Sequence, residues 1–277
     1  MTGTEDNLAA FRALAAQPDA ELCLLDGVLL IGAALQPQMD AAGCREALEG
    51  MAAELRPSLA DSGDLADQAR TLADYLHDVR GFSGNAVEYY DPRNSFLNEV
   101  LERRTGIPIT LALVYLEVGR RLGLPMAGVG FPGHFLVKLE GDPDVVIDPF
   151  SGELLDEAEL EQRYRIAAGA GPTLPREALR AATSREILFR MLTNLKRIYL
   201  EQKILPEALI CCDRAIALMP QVPQEYRDRA LVYYGLQRSP EALADLQHFL
   251  DLAPEDPTAG PARELAEQLE AQVGRPV

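Results

Sequence analysis

The chain has 277 residues, a formal charge of −17 and a pI near 4.6, a balance that disfavours nucleic acid, whose binding needs a basic surface to release counterions. Hydrophobic residues at 48% and charged residues at 25% exclude extended disorder and leave room for two cores. Cys23, Cys44, Cys211 and Cys212 lack metal-ligand spacing, so reduced thiols are expected, with neither metal nor cofactor.

Residues 1–80 carry helical periodicity in four stretches: TEDNLAAFRALAAQ, DAELCLLDGVLLIGAAL, MDAAGCREALEGMAAEL and DLADQARTLADYLHDV. Thr4, Asp19 and Asp61 are candidate caps. An acidic N-terminus does not suit a signal peptide, and CLLDGVLLIGAAL is short and contains Asp26, so no membrane span and a cytoplasmic location are expected.

GFSGNAVEYYDPRNS is a loop by its turn residues, and Asn94 or Ser95 can cap the following helix, FLNEVLERR. Asn94, Asn98 and Glu99 are candidate binding residues. Gly106 then breaks the chain and Pro108 opens an apolar helix, a position where the missing N–H costs nothing.

Short alternating strands follow. A hairpin centred on Gly141 (LEGDP) pairs His134 directly with Asp148 and sends Phe135, Val137, Val145 and Ile147 to the opposite, apolar face. Cross-strand neighbours lie about 4.5–5.5 Å apart at Cβ, so the carboxylate can orient the imidazole. A hydrogen-bonded structural histidine fits the same pattern.

This order, a helix followed by strands bearing a histidine and an aspartate, resembles the papain-like transglutaminase core, in which a cysteine at the helix start completes a triad. Counting back from Gly123-Leu124-Pro125 places the nucleophile position on Pro108. More narrowly, NSFLNEVLERRTGIPITLALVYLEVGRRLGLP and GVGFPGHFLVK are similar to the bacterial SirB family of transglutaminase-like proteins with tetratricopeptide (TPR) tails, over roughly residues 80 to 155.

The resemblance implies an α+β fold: a mostly helical papain/transglutaminase-like core with a small antiparallel sheet, then an α-helical TPR domain. His134 and Asp148 are the residual catalytic pair it implies, with no thiol at Pro108. Thr110 is a poor substitute, because two residues along a helix turn its side chain about 200° away.

An acidic helix and the linker candidate GAGPTLP follow, and then the chain repeats. LPEAL at 205–209 recurs as SPEAL at 239–243, and a 34-residue shift also superposes Tyr199 on Tyr233 and Pro220 on Pro254. That period belongs to the TPR helix-turn-helix unit, with Ala208, Ala230 and Ala242 at its small positions. Two repeats are fewer than a stable stack needs, so flanking helices at about 184–188 and 258–273 are expected to complete it.

The expected domains are 1–175, transglutaminase-like with a helical N-terminal layer, and 183–275, TPR-like. The function expected is that of a non-catalytic, regulatory protein-interaction molecule, with a protein or peptide partner on the TPR module. A cysteine-independent hydrolase, or a small-ligand binder, using His134 and Asp148 is the alternative. Neither transglutaminase nor cysteine-protease activity is expected without the nucleophile.

Overall fold

A computed structural model describes residues 2–141, 145–169 and 173–273. The chain divides into two compact units, one made of residues 23–191 and the other of residues 1–22 with 192–277.

The first unit opens with α2 (Leu24–Leu35), after α1 (Thr2–Ala15) has been contributed to the other unit. Next come α3 (Ala41–Ala60) and α4 (Leu65–Asp74). Their caps are Asp40, which accepts from the Gly43 N–H, and Asp64, which accepts from Ala66 and Asp67. Of the capping candidates, Thr4 lies inside α1, α2 starts at Leu24 rather than after Asp19, and Asp61 follows α3. A π-helical turn, Tyr75–Val79, extends α4.

The strand β1 (Ser83–Gly84) pairs in parallel with β2 (Thr105–Gly106) on either side of α5 (Leu97–Arg103). Residues Pro92–Ser95 form a 3-10 turn capped by Asp91, and Phe96 occupies the α5 N-cap. Neither Asn94 nor Ser95 caps that helix. Asn94 is turned instead into the preceding loop.

Helix α6 (Pro108–Leu122) begins on its proline and ends at Gly123 in the left-handed region, φ 81°. It is apolar on most sides and buried along nearly its whole length, as a helix at the centre of a core must be. An antiparallel meander follows: β3 (Met126–Val129), β4 (Leu136–Leu139), β5 (Val146–Ile147) and β6 (Leu154–Leu155).

Both faces of this sheet are covered. Leu139 and Val145 pack with Ala69 of α4. Val129, Leu136, Val146 and Leu155 pack with Phe131 and with Leu160 of α7 (Glu157–Ala168), a helix opened by an Asp156–Glu159 capping box.

Part of the linker candidate GAGPTLP, residues 170–172, lies outside the described residues. Beyond it the chain returns to the sheet: Ala181 bridges Val129, the Ala182 N–H donates to Gly128 O (2.8 Å), and Lys138 Nζ donates to Leu179 O (2.8 Å). The division between units falls later, inside α8 (Ser184–Glu201).

In the second unit α9 (Leu205–Leu218), α10 (Pro223–Gly235), α11 (Ser239–Leu252) and α12 (Ala259–Val273) follow. The 34-residue period is written into the backbone. Lys203 and Gln237 both take left-handed conformations, φ 59° and 60°. Ile204 N–H donates to Tyr199 O at 2.8 Å, and Arg238 N–H donates to Tyr233 O at 2.9 Å. Ala208, Ala230 and Ala242 have no exposed surface, so the helices close on each other at those points. The array is extended by α12 against α11 and by α1 against α9.

Candidate functional site

His134 is presented by a tight turn. Phe131-Pro132-Gly133-His134 closes with the His134 N–H on Phe131 O (3.0 Å), and Gly133 has φ 69°. Proline second and glycine third is what a type II turn requires. Arg190 of α8 grips the turn from outside, donating to His134 O (2.6 Å) and Phe131 O (3.5 Å), with its guanidinium 5.4 Å from the Phe135 ring centre.

Asp148 leaves β5 into a second turn, in which Gly152 N–H donates to Asp148 O and Asp148 N–H to Glu153 O, both at 2.8 Å. Its side chain is almost fully buried and accepts from three directions. His134 Nε2 donates to Oδ1 at 2.8 Å, Phe150 N–H donates to the same oxygen at 2.9 Å, and an Arg163 guanidinium nitrogen donates to Oδ2.

Burial works against the Asp148 charge, but the hydrogen bond and charge of His134, the Phe150 N–H and Arg163 together hold its pKa below the usual carboxylate range. An ionised carboxylate can only accept, so Nε2 carries a proton, and in the neutral imidazole Nδ1 holds the lone pair. Among the described residues Nδ1 has no hydrogen-bond partner.

The anticipated register is off by two residues. Val137 pairs with Ile147 and Lys138 with Val146, so Leu136 faces Asp148 and His134 sits one step along the diagonal. The loop is longer than the turn assumed around Gly141, and its residues 142–144 lie outside the described ones. Because the slip is an even number of residues, side-chain parity is kept. Phe135, Val137, Val145 and Ile147 are all buried on the other face, and the imidazole spans the diagonal.

Around this pair the structure adds residues that local pattern does not reveal. Phe150 lies against His134, ring centres 6.0 Å apart, and Tyr89 lies 6.3 Å from Phe150. Gly84 donates to Phe150 O (2.8 Å), and a Cβ at Gly84 would meet that ring at 2.3 Å. His77 donates Nδ1–H to Phe82 O (2.9 Å) and packs beneath Gly152, where an added Cβ would meet its ring. Tyr115 of α6 buries a hydroxyl that has no partner among the described residues; its pKa is raised by burial first and by the Asp148 charge second.

Pro108 is the buried first residue of α6. Two residues earlier Gly106 pairs with Gly84, so the backbone connects the helix start to Phe150 and from there to His134. Thr110 donates its hydroxyl to Asn94 O (2.5 Å) and lies close to Ile107 O (3.1 Å), and so helps to hold the entry to the helix.

The three candidate binding residues have different surroundings. Asn94 is fully buried: Nδ2 donates to Glu88 O (2.7 Å) and Tyr89 O (3.3 Å), while Oδ1 accepts from Asn85 (3.2 Å) and Arg103 (3.3 Å). Its side chain is spent on the loop that carries Tyr89. Asn98 and Glu99 line a cleft of about 440 Å³ with Gln36, Pro37, Gln38 and Met39, a set without His134 or Asp148. There Gln36 Nε2 donates to Glu99 Oε1 at 3.4 Å.

Burial outweighs the nearby cations at the buried thiols. Burial pushes Cys44 up, and Cys211 to about 12, the environment of inert packing cysteines. Cys23 is exposed. No group of three potential metal ligands occurs among the described residues, and no described helix is long and apolar enough to cross a membrane.

Comparison with known proteins agrees with this architecture. The family model for the transglutaminase-like superfamily matches residues 42–193, and a tetratricopeptide repeat model matches 195–267. A UPF0162 protein of Xylella fastidiosa strain Temecula1 is 40% identical over 246 residues, 87% of this chain and 88% of the relative. One from Vibrio cholerae is 31% identical, covering 85% and 88%. Protein SirB1 of Salmonella typhimurium is 27% identical, covering 92% of each. No solved structure matches. On these matches, the chain belongs to the transglutaminase-like superfamily, within the group of bacterial proteins that carry the names SirB1 and UPF0162.

Proposed function

We propose that this protein is a non-catalytic interaction protein, in which a transglutaminase-like domain without its nucleophile is joined to a TPR module that holds a protein or peptide partner. The observation that carries the reading is Pro108. A proline, buried at the first turn of α6, stands where the resemblance places the attacking thiol, and acyl-enzyme chemistry needs a nucleophile at that place. Helical repeats are used for binding far more often than for chemistry, and α10 exposes Leu231 and Tyr234.

Crosslinked capture with the full chain tests this. Partner capture is expected to be lost in a Leu231→Asp/Tyr234→Asp variant and kept in His134→Ala. Turnover of amide, ester or amine-acceptor substrates that disappears with His134→Ala would refute the reading.

The second reading rests on the His134–Asp148 pair. An imidazole with its proton fixed on Nε2 offers Nδ1 as a general base for water, or as an acceptor for a bound ligand. It predicts either a slow hydrolysis or a ligand-induced shift of the His134 ring resonances, and both must vanish in Asp148→Asn.

A further inference from the structure

A guanidinium without a carboxylate lies between α1 and the first repeat. Arg214 of α9 is 1% exposed. One terminal nitrogen donates to Ile210 O (3.1 Å), the other to Asn7 Oδ1 of α1 (2.5 Å), and buried Nε has no partner among the described residues. The guanidinium carbon lies 5.7 Å from the centre of the Phe11 ring, itself fully buried.

The adjacent carboxylate, Asp213, is taken by Arg229 at 2.8 Å. Burial lowers the Arg214 pKa, Cys211 and Asp213 oppose that, and Arg12 of α1 adds a like charge. A buried guanidinium answered by a neutral amide, with one N–H unanswered, is a costly arrangement. The geometry it suits is the parallel two-bond contact of a carboxylate.

Asn7 and Phe11 are four residues apart on one helix face. Helix α1 therefore brings the right apolar shape to this surface, and the wrong charge. We propose that α1 is a resident occupant of a docking surface on the first repeat, whose intended ligand is an amphipathic partner helix with an Asp or Glu at the Asn7 place and a large apolar residue four positions later. This rests on the partner-binding reading above, and it adds a second surface, separate from Leu231 and Tyr234, with its own partner class. Tethering keeps α1 in place when partner is scarce, through its high effective concentration. A partner helix displaces it by supplying the charge that Arg214 lacks.

The test uses the full-length protein and two fluorescein-labelled peptides spanning residues 4–17, one native in sequence and one with Asn7→Asp. The Asn7→Asp peptide is expected to bind at least tenfold more tightly, with hydrogen exchange of residues 5–15 of the chain accelerating as it binds. In Arg214→Met the preference should fall below about twofold. Should that variant misfold, Asn7→Asp in the chain itself decides, since it should slow exchange of residues 5–15 at least fivefold and weaken peptide binding.

Equal affinity of the two peptides, or a preference that survives Arg214→Met, overturns the proposal. So does a chain whose residues 5–15 exchange no differently with Asn7→Asp. A partner captured through Leu231 and Tyr234 while the peptides fail would leave the interaction reading standing and remove only this surface.

Discussion

Replacing Asp148 by Asn tests the geometry of the candidate site with little change in shape. The amide oxygen can still accept from Phe150 N–H and His134 Nε2, but both bonds lose their charge assistance, and the amide N–H₂ now faces Arg163. Hydrogen bonds to charged groups are worth about 1.5–3 kcal/mol and neutral ones about 0.5–1.5. The Arg163 side chain is 35% exposed, so water recovers part of its loss, and we expect a net destabilisation of about 2 kcal/mol, or roughly 4–8 °C in Tm for a unit of this size.

The pH dependence has a definite sign. Asp148 has a folded pKa below its unfolded value, so its contribution is present above about pH 3.9 and is lost as pH falls through the folded value. The gap in urea midpoint between wild type and Asp148→Asn should persist from pH 8 to about pH 5 and close only below about pH 4. Only three histidines are present, so two-bond ¹⁵N–¹H correlations assign the His134 tautomer directly. Wild type should show the proton on Nε2, and the variant should show that preference weakened. A proton on Nδ1 in wild type, or a gap closing between pH 7 and pH 5, would refute the reasoning.

Three further outcomes are expected. Gly152→Ala places a Cβ 2.3 Å from His77 Cγ at a φ of 78°, so it should cost about 2 kcal/mol or more and broaden the His134 resonances; a loss under about 0.5 kcal/mol would show the turn to be slack. Pro108→Cys, with the four native cysteines replaced, puts a thiol at the first turn of α6, where orphan N–H groups favour an anion; alkylation should report a pKa well below about 8.5, restored by His134→Ala, whereas an ordinary titration in a folded variant would separate Pro108 from His134. Limited proteolysis should nick first within 169–175, yet the fragments should co-elute, because Ala181 and Ala182 are bonded into the sheet through Val129 and Gly128; fragments that separate would contradict that pairing.

What the residues disclosed in advance follows from how local each signal is. The repeats were legible because every part of the motif lies within 34 residues, down to the paired left-handed turns at Lys203 and Gln237. The two faces of the hairpin were legible because parity survives an error in register. The register itself was not, since it depends on a loop whose length no alternation pattern records. Asn94 shows a different limit: a polar residue ahead of a helix can cap it or turn back, and the path of residues 85–89 decides which.

The least legible residues are the ones that set charge. Asp148 is held ionised partly by Arg163, from α7, and His134 is aimed partly by Arg190, from α8. Each arginine sits on an otherwise ordinary amphipathic helix, where a cation is expected to face water. What turns it inward is the packing of that helix on the sheet, a long-range event. The same holds for Arg214, which shares its helix with the packing cysteines and is buried by Phe11 and Asn7, some two hundred residues distant in the chain. Pattern thus locates the imidazole and the carboxylate, while tertiary packing selects the cations that determine what either can do.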